Sequence, residues 1–126
     1  MIEIKGPHRL DHIDYYVRDT SSGVYMLSND GERIAEVGRS DIDVREAIMK
    51  VCGVQRGVDT KYSYFWIGYT PNAIAAFREH CKLWHRYMHM KGIETHPTPP
   101  EGNGKTGCPT SECEWNQANG LSSDEY

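Results

Sequence analysis

The stretch "GVYMLSNDGERIAEVG", residues 23–38, decides the fold because it has the pattern of two short strands joined by a tight turn. Apolar residues flank Asp30-Gly31, and this dipeptide between two apolar runs is one of the strongest short-range signals for a β-hairpin. We predict strands over residues 23–28 and 32–37. The stretch also raises the question whether the hairpin is only a structural unit or also carries a catalytic motif.

The segments next to the hairpin predict one strand and one helix. Before the hairpin, "IDYYV", residues 13–17, is predicted as a strand. After it, residues 40–52 predict a helix, because Ser40, Asp41 or Asp43 can cap the first turn and apolar residues recur at spacings of three and four. These apolar positions are Val44, Ala47, Ile48 and Val51.

Further along the chain, residues 62–69, "YSYFWIGY", are rich in aromatic residues and predict a further strand, which is the third strand of the sheet after the two of the hairpin. Thr70 as N-cap and Pro71 at the first helical position predict a second helix that continues to about Lys91. The order of hairpin, helix, strand and helix predicts an α+β fold with a small antiparallel three-stranded sheet and helices packed on it. The predicted apolar stripe of the second helix is Ile74, Phe77, Cys81, Trp84 and Met88.

Length and composition predict one ordinary globular domain. The chain has 126 residues with a net charge of −4, so no global basic field favours nucleic acid, and any such contact needs a local basic patch. It contains no apolar run of the roughly 20 residues that span a bilayer, and its start lacks the apolar core of a signal peptide. We therefore predict a cytoplasmic protein without a membrane partner. In that compartment the four cysteines are expected to be free thiols or metal ligands rather than disulfides.

Three of these cysteines and a histidine predict a structural zinc site. Cys81 and His85 are four residues apart on one predicted helix and project from the same face. Cys108 and Cys113 bring two more sulfurs together, and three thiolates with one imidazole suit tetrahedral zinc. His96 is an alternative fourth ligand, and His89 is a weaker one. In the other interpretation, Cys81 packs in the core and the last two cysteines are free or paired.

Such a zinc ion has a clear structural purpose. Residues 93–114 are dense in proline and glycine, and a segment of this composition buries too little apolar surface to order itself. Zinc would pin this segment against the second helix. We therefore predict a single domain over residues 1–114 and a mobile acidic tail over residues 115–126.

The hairpin also carries a resemblance to a known family. Gly23-Val24-Tyr25, ten intervening residues and Glu36-Val37-Gly38 resemble the signature of the GIY-YIG nucleases. The order of elements and the Cys/His-rich end are similar to small stand-alone members of that family. The resemblance covers residues 13–96 and implies a divalent-metal-dependent endonuclease, in which a glutamate holds Mg²⁺ or Mn²⁺, a tyrosine helps to activate water and an arginine stabilises the phosphate.

Carried over to this chain, the family's site is only partly present. Tyr25 matches the first motif tyrosine, and Arg39 follows the second motif glycine. The other positions depart from the family pattern. Glu36 replaces the second tyrosine, Ala47 stands at the helix arginine with Arg45 nearby, His80 stands at the metal-binding glutamate with Glu79 beside it, and Thr95 falls near the late asparagine.

These departures leave three interpretations open. A rearranged endonuclease would use Tyr25, Arg39, Arg45, Glu79 and His80. A nuclease fold that has lost cleavage would bind nucleic acid through Arg39, Arg45 and Lys50. A non-catalytic, zinc-stabilised module for a protein partner is the third. Convergence of Tyr25, Arg39 and either Glu79 or His80 on one concave face favours the enzyme, whereas a scattered arrangement favours a binding module.

Overall fold

The computed structural model describes residues 2–52, 62–89, 96–110 and 113–121. The fold is α+β, with an antiparallel sheet in the order β1-β4-β2-β3 and helices packed on it, which confirms the predicted class but gives four strands in place of three. The strands are β1 (Lys5–Arg9), β2 (Gly23–Ser28), β3 (Glu36–Ser40) and β4 (Tyr64–Tyr69). The helices are α1 (Ile13–Tyr16), α2 (Val44–Cys52), α3 (Ala73–Tyr87) and α4 (Glu114–Asn119).

The predicted hairpin is confirmed as the antiparallel pair β2–β3. At the turn, the Asp30 carboxylate accepts hydrogen bonds from the backbone N–H groups of Glu32 and Arg33 at 2.8 and 2.9 Å. These bonds, the one from Arg33 first, lower the pKa of Asp30 to about 2. Because they hold residues 30–33 in the loop, β3 begins at Glu36 rather than at the predicted Glu32.

The predicted strand over residues 13–17 is wrong. These residues follow a 3₁₀ turn, Leu10–His12, and form the short helix α1. Leu10, Ile13 and Val17 are buried, whereas Tyr15 and Tyr16 are exposed, so the apolar side chains recur at helical spacings of three and four. The additional strand is β1, which pairs with β4 and was not predicted.

Both longer helices are present, with one corrected start. Before α2, the Asp43 carboxylate accepts a hydrogen bond from the Glu46 N–H at 3.3 Å, as expected of a capping residue. Helix α3 is capped by Asn72 rather than by the predicted Thr70, because the Asn72 side chain accepts a hydrogen bond from the Ala75 N–H at 2.8 Å.

Thr70 has a different role in the fold. Its hydroxyl lies 2.9 Å from the Ser22 hydroxyl, and both residues are buried at the end of the sheet.

At its C-terminal end, helix α3 stops at Tyr87. Met88 and His89 follow the helix without continuing it, so the predicted helix is too long at this end, whereas residues 90 and 91 of the predicted extension and Thr95 lie outside the described residues.

The sheet has two covered faces, and β2 contributes to both. Tyr25 and Leu27 pack in one cluster with residues of α1 and α2, whereas Val24 and Met26 pack in another cluster with residues of α3. Successive side chains of a strand point to opposite faces, so this division follows from the alternation. We call these the α2 face and the α3 face.

The C-terminal segment packs against α3. Phe77 and Cys81 of α3 form a buried cluster with Cys108 and Cys113, and Trp115 packs against it. Residues 114–119, most of which fall within the predicted mobile tail, form α4 with Asn116 buried. Residues 122–126 lie outside the described residues.

Candidate metal centre

Four side chains bring their ligand atoms together between α3 and the C-terminal segment. The nitrogens of His85 and His96 and the sulfurs of Cys108 and Cys113 lie within 4.8 Å of one another. Two imidazoles and two thiolates form one of the ligand sets that bind zinc tetrahedrally. These four residues can therefore bind a metal such as zinc.

His96 is oriented by contacts on its ring. Its Nδ1 lies 2.7 Å from the Pro97 carbonyl oxygen, so this nitrogen carries the proton and donates to the carbonyl. The Nε2 atom is then free to accept, and it lies 3.4 Å from Cys113 Sγ. The ring also stacks on Trp115 with centroids 4.6 Å apart. Such a bond to the outer nitrogen is the usual way in which a metal-ligating histidine is fixed.

The buried ring nitrogen of His85 shows whether a metal fits this group of residues. Its Nε2 is buried and has no hydrogen-bond partner among the described residues. A buried polar atom without a partner destabilises the folded state by about 1–3 kcal/mol. Ligation of a metal ion by this nitrogen would remove that penalty, so the donor set and the burial both fit a bound metal.

Cys108 is held from two sides. Hydrogen bonds from the Cys81 thiol first, and then from Thr110, hold the pKa of Cys108 well below its ordinary value, which favours the thiolate that ligates metals. The buried Asn116 side chain fixes the backbone: it accepts from the Cys108 N–H at 2.8 Å and donates to the Cys108 carbonyl at 2.7 Å. Sequence reasoning missed Asn116, because an asparagine in a polar stretch carries no local signal.

The predicted ligand Cys81 is not part of the group, and the alternative His96 takes its place. Cys81 lies one turn before His85 on α3, fully buried beside Phe77. The hydrogen bond to Cys108, followed by burial, raises the pKa of Cys81, so it stays a protonated donor to a ligand. The weaker alternative, His89, is also outside the group, and its ring stacks on Trp84.

The nuclease-like residues do not form one site but fall into two groups. The first group lies on the α2 face. Tyr25 is buried there, with its ring across Gly38, its partner on β3. Glu36, at the position of the second motif tyrosine, accepts a hydrogen bond from the Tyr62 hydroxyl at 3.0 Å. Arg45 of α2 is paired with the Asp14 carboxylate, and Lys50 is exposed near the end of the same helix.

Arg39 and His80 lie on the α3 face instead. The Arg39 guanidinium donates to Asp41 Oδ1 at 2.8 Å and to the Thr98 carbonyl at 2.6 Å, and it lies 3.2 Å from His80 Nδ1. Burial, and then the charge of Arg39, lowers the pKa of His80 to about 3, so the neutral ring accepts this bond. Arg39 is only 13% exposed and fastens the segment after His96 to the sheet edge.

Arg39 therefore does not join Arg45 and Lys50 in the predicted basic patch, since α2 covers the opposite face. The Glu79 carboxylate, the candidate ligand for Mg²⁺ or Mn²⁺, pairs with Lys82 at 3.1 Å. Within the described ranges, no second set of three or more His, Cys, Asp or Glu ligand atoms comes together. The arrangement is scattered rather than convergent.

The role of Arg39 gives a first testable prediction. We expect Arg39→Ala to lower the free energy of unfolding by about 2 kcal/mol, because hydrogen bonds to a charged group contribute about 1.5–3 kcal/mol. It should also speed proteolysis within residues 96–110. Urea unfolding and limited proteolysis measure both effects. Arg9→Ala is the matched control, since Arg9 forms an exposed pair with Asp11. Equal behaviour of the two variants would contradict a fastening role.

No helix in the described parts of the chain is long and apolar enough to cross a membrane. No protein-family model, curated protein or solved structure matches the chain.

Proposed function

We propose that this chain is a zinc-stabilised, non-hydrolytic domain that binds nucleic acid, on a framework that resembles the GIY-YIG nucleases. We infer the loss of cleavage from one observation: Tyr25 lies on the α2 face, whereas Arg39 and His80 lie on the α3 face. Phosphoryl transfer needs its groups around one phosphate, because misplacement by even 1 Å is costly. Groups on opposite sides of a sheet cannot meet that requirement.

Zinc has a structural role in this proposal. His85, His96, Cys108 and Cys113 would hold it, and the bound ion would cross-link α3 to the segment that follows it. Four protein ligands leave no open position for a substrate, as in structural sites. We therefore assign a stabilising role, rather than a binding role, to the α3 face.

Binding is then assigned to the α2 face. Arg45 pairs there with Asp14, whose side chain is 80% exposed, and such exposed pairs contribute little to stability. A phosphate can replace the carboxylate at little cost. Lys50 is exposed on the same helix. Because the net charge is −4, these local cations have to supply the attraction.

The test measures binding and cleavage together. We expect the zinc-loaded protein to bind DNA or RNA with an affinity that falls with salt, and Arg45→Ala and Lys50→Ala each to reduce the salt slope by about 1. Lys82→Ala, on α3, is the matched control. Fluorescence anisotropy gives the affinities, and gels with Mg²⁺ or Mn²⁺ monitor cleavage, which we expect to be absent.

Two outcomes would contradict the proposal. Cleavage that Tyr25→Phe abolishes would make the chain a rearranged endonuclease. A salt-independent affinity, or no binding of any DNA or RNA, would favour the module for a protein partner.

A further inference from the structure

A groove lies between β1, α1 and the end of β4, with a volume of about 590 Å³. Its lining includes Glu3, Lys5, His8, Tyr15, Tyr16 and Tyr69. Ile67 also lines it and is in register with Tyr25 on one side and with Lys5 on the other. The groove therefore opens on the α2 face, away from the metal centre.

Two of the lining residues are large apolar side chains left in water. Tyr15 is 67% exposed and Tyr16 is 40% exposed. The two are adjacent in sequence and their rings meet edge to face, with centroids 5.0 Å apart at 85°. Exposed single apolar residues are common, but two tyrosines that line one groove form a patch of the kind that marks a binding site.

The Tyr16 ring, which the Tyr15 ring meets edge to face, is held in place from behind. Tyr16 stacks on His8 with centroids 3.9 Å apart at 14°, and both rings contact the fully buried Phe65. Across the groove, the Tyr69 hydroxyl accepts a hydrogen bond from the Asp19 N–H at 3.4 Å. A ligand that stacks here would lose little side-chain entropy of the protein, since the aromatic surface is already ordered.

Cations stand beside these rings. Lys5 is 67% exposed and its ammonium lies 3.6 Å from the carboxylate of Glu3, which is 77% exposed, so the pair is weak. The Arg18 guanidinium lies 5.6 Å from the centroid of the Tyr15 ring. A ligand for this groove thus has a flat aromatic part for the tyrosines and an anionic part for Lys5 and Arg18.

We propose that the groove binds an unpaired nucleotide of a single-stranded nucleic acid. The base stacks on the Tyr15–Tyr16 pair, and Lys5 and Arg18 contact the adjacent phosphates. Bases of a duplex are already stacked on one another, so the groove prefers a single strand. This inference rests on the proposed function and specifies the surface and the form of nucleic acid.

The experiment uses the full, zinc-loaded chain and a labelled 12-nucleotide strand of mixed sequence. We expect the double variant Tyr15→Ala/Tyr16→Ala to bind it at least about tenfold more weakly, since stacking on an aromatic side chain changes affinity by this order per base. Tyr15→Phe/Tyr16→Phe keeps the rings and should bind normally. Lys5→Ala should weaken binding and lower its salt dependence. Ile42→Ala is the matched control, because Ile42 is 78% exposed and does not line the groove.

The outcomes separate this inference from the proposed function. If the strand binds the double alanine variant as tightly as the parent, the groove is wrong and the proposed function stands. If neither strand nor duplex binds the parent protein, the proposed function itself fails. Three other results would also overturn the groove assignment. The protein could bind the duplex more tightly than the single strand, or it could bind adenosine monophosphate but not the strand. In the third, a proline-rich peptide occupies the groove and the strand does not. Retained zinc content and an unchanged thermal midpoint show that each variant is folded.

Discussion

Cys108→Ser is expected to release the metal and to lower the thermal midpoint by roughly 10 °C, which corresponds to about 3 kcal/mol for a chain of this size. The change removes the ligand whose sulfur accepts hydrogen bonds from Cys81 and Thr110, and a buried hydroxyl replaces it. Without the ion, His85 Nε2 stays buried and unpaired. Elemental analysis should give about one zinc per parent chain and none for the variant.

Two other cysteines supply the controls for this experiment. Cys52 is buried in the cluster on the α2 face, so Cys52→Ser should cost some stability but keep the metal. Cys81→Ser should keep the metal with reduced affinity, because it weakens a hydrogen bond to a ligand. A chelator should lower the thermal midpoint of the parent but not of Cys108→Ser. The metal assignment would be contradicted if the parent protein contained no zinc and had a Cys108–Cys113 disulfide in reducing buffer.

Gly38→Ala is expected to lower the free energy of unfolding by about 3 kcal/mol, because a methyl group at this position overlaps the ring and hydroxyl of Tyr25. Gly38 and Tyr25 are partners across β2 and β3, and Tyr25 is only 6% exposed, so the ring cannot swing out into solvent without exposing buried surface. Urea unfolding measures the change. The presence of glycine at position 38 of the hairpin is thus explained by the packing of the Tyr25 ring against it.

A double-variant cycle tests that explanation. In a Tyr25→Ala background, Gly38→Ala should cost less than about 1 kcal/mol, because the overlapping ring is gone. Gly104→Ala serves as the control, since no atom lies within 4 Å of a Cβ built there. An equal cost of Gly38→Ala with and without the Tyr25 ring would mean that backbone strain, rather than the ring, selects glycine.

The parts of the fold that sequence predicted are those decided by local chemistry. The Asp30-Gly31 turn and the Asp43 cap are formed by hydrogen bonds within a few residues, so the hairpin and α2 could be found. β1 could not, because "KGPHR" is exposed apart from His8 and is a strand only through pairing with β4. For residues 13–17, aromatic content favoured a strand, although the spacing of Ile13 and Val17 already indicated a helix.

The candidate site divides in the same way. Helical spacing placed Cys81 and His85 on one face but could not say which of them reaches the metal. That choice depends on His96, which approaches from a distant segment and is oriented by Pro97 and Trp115. The contact of Arg39 with Thr98 spans 59 positions, and no local pattern encodes it.

The position of β1 has a consequence for how the chain folds as it is synthesised. β2 and β3 can pair as soon as residue 40 is available, whereas Lys5 has to wait for Ile67 on β4. The ribosome therefore releases β1 early, yet the sheet reaches its final width only after 29 further residues beyond Ser40, through Tyr69, have been added. Such distant pairings fold slowly because loop entropy is lost before contacts form. During that interval β1 and one backbone edge of β2 are without their neighbour β4, and the nascent chain is most open to binding by chaperones.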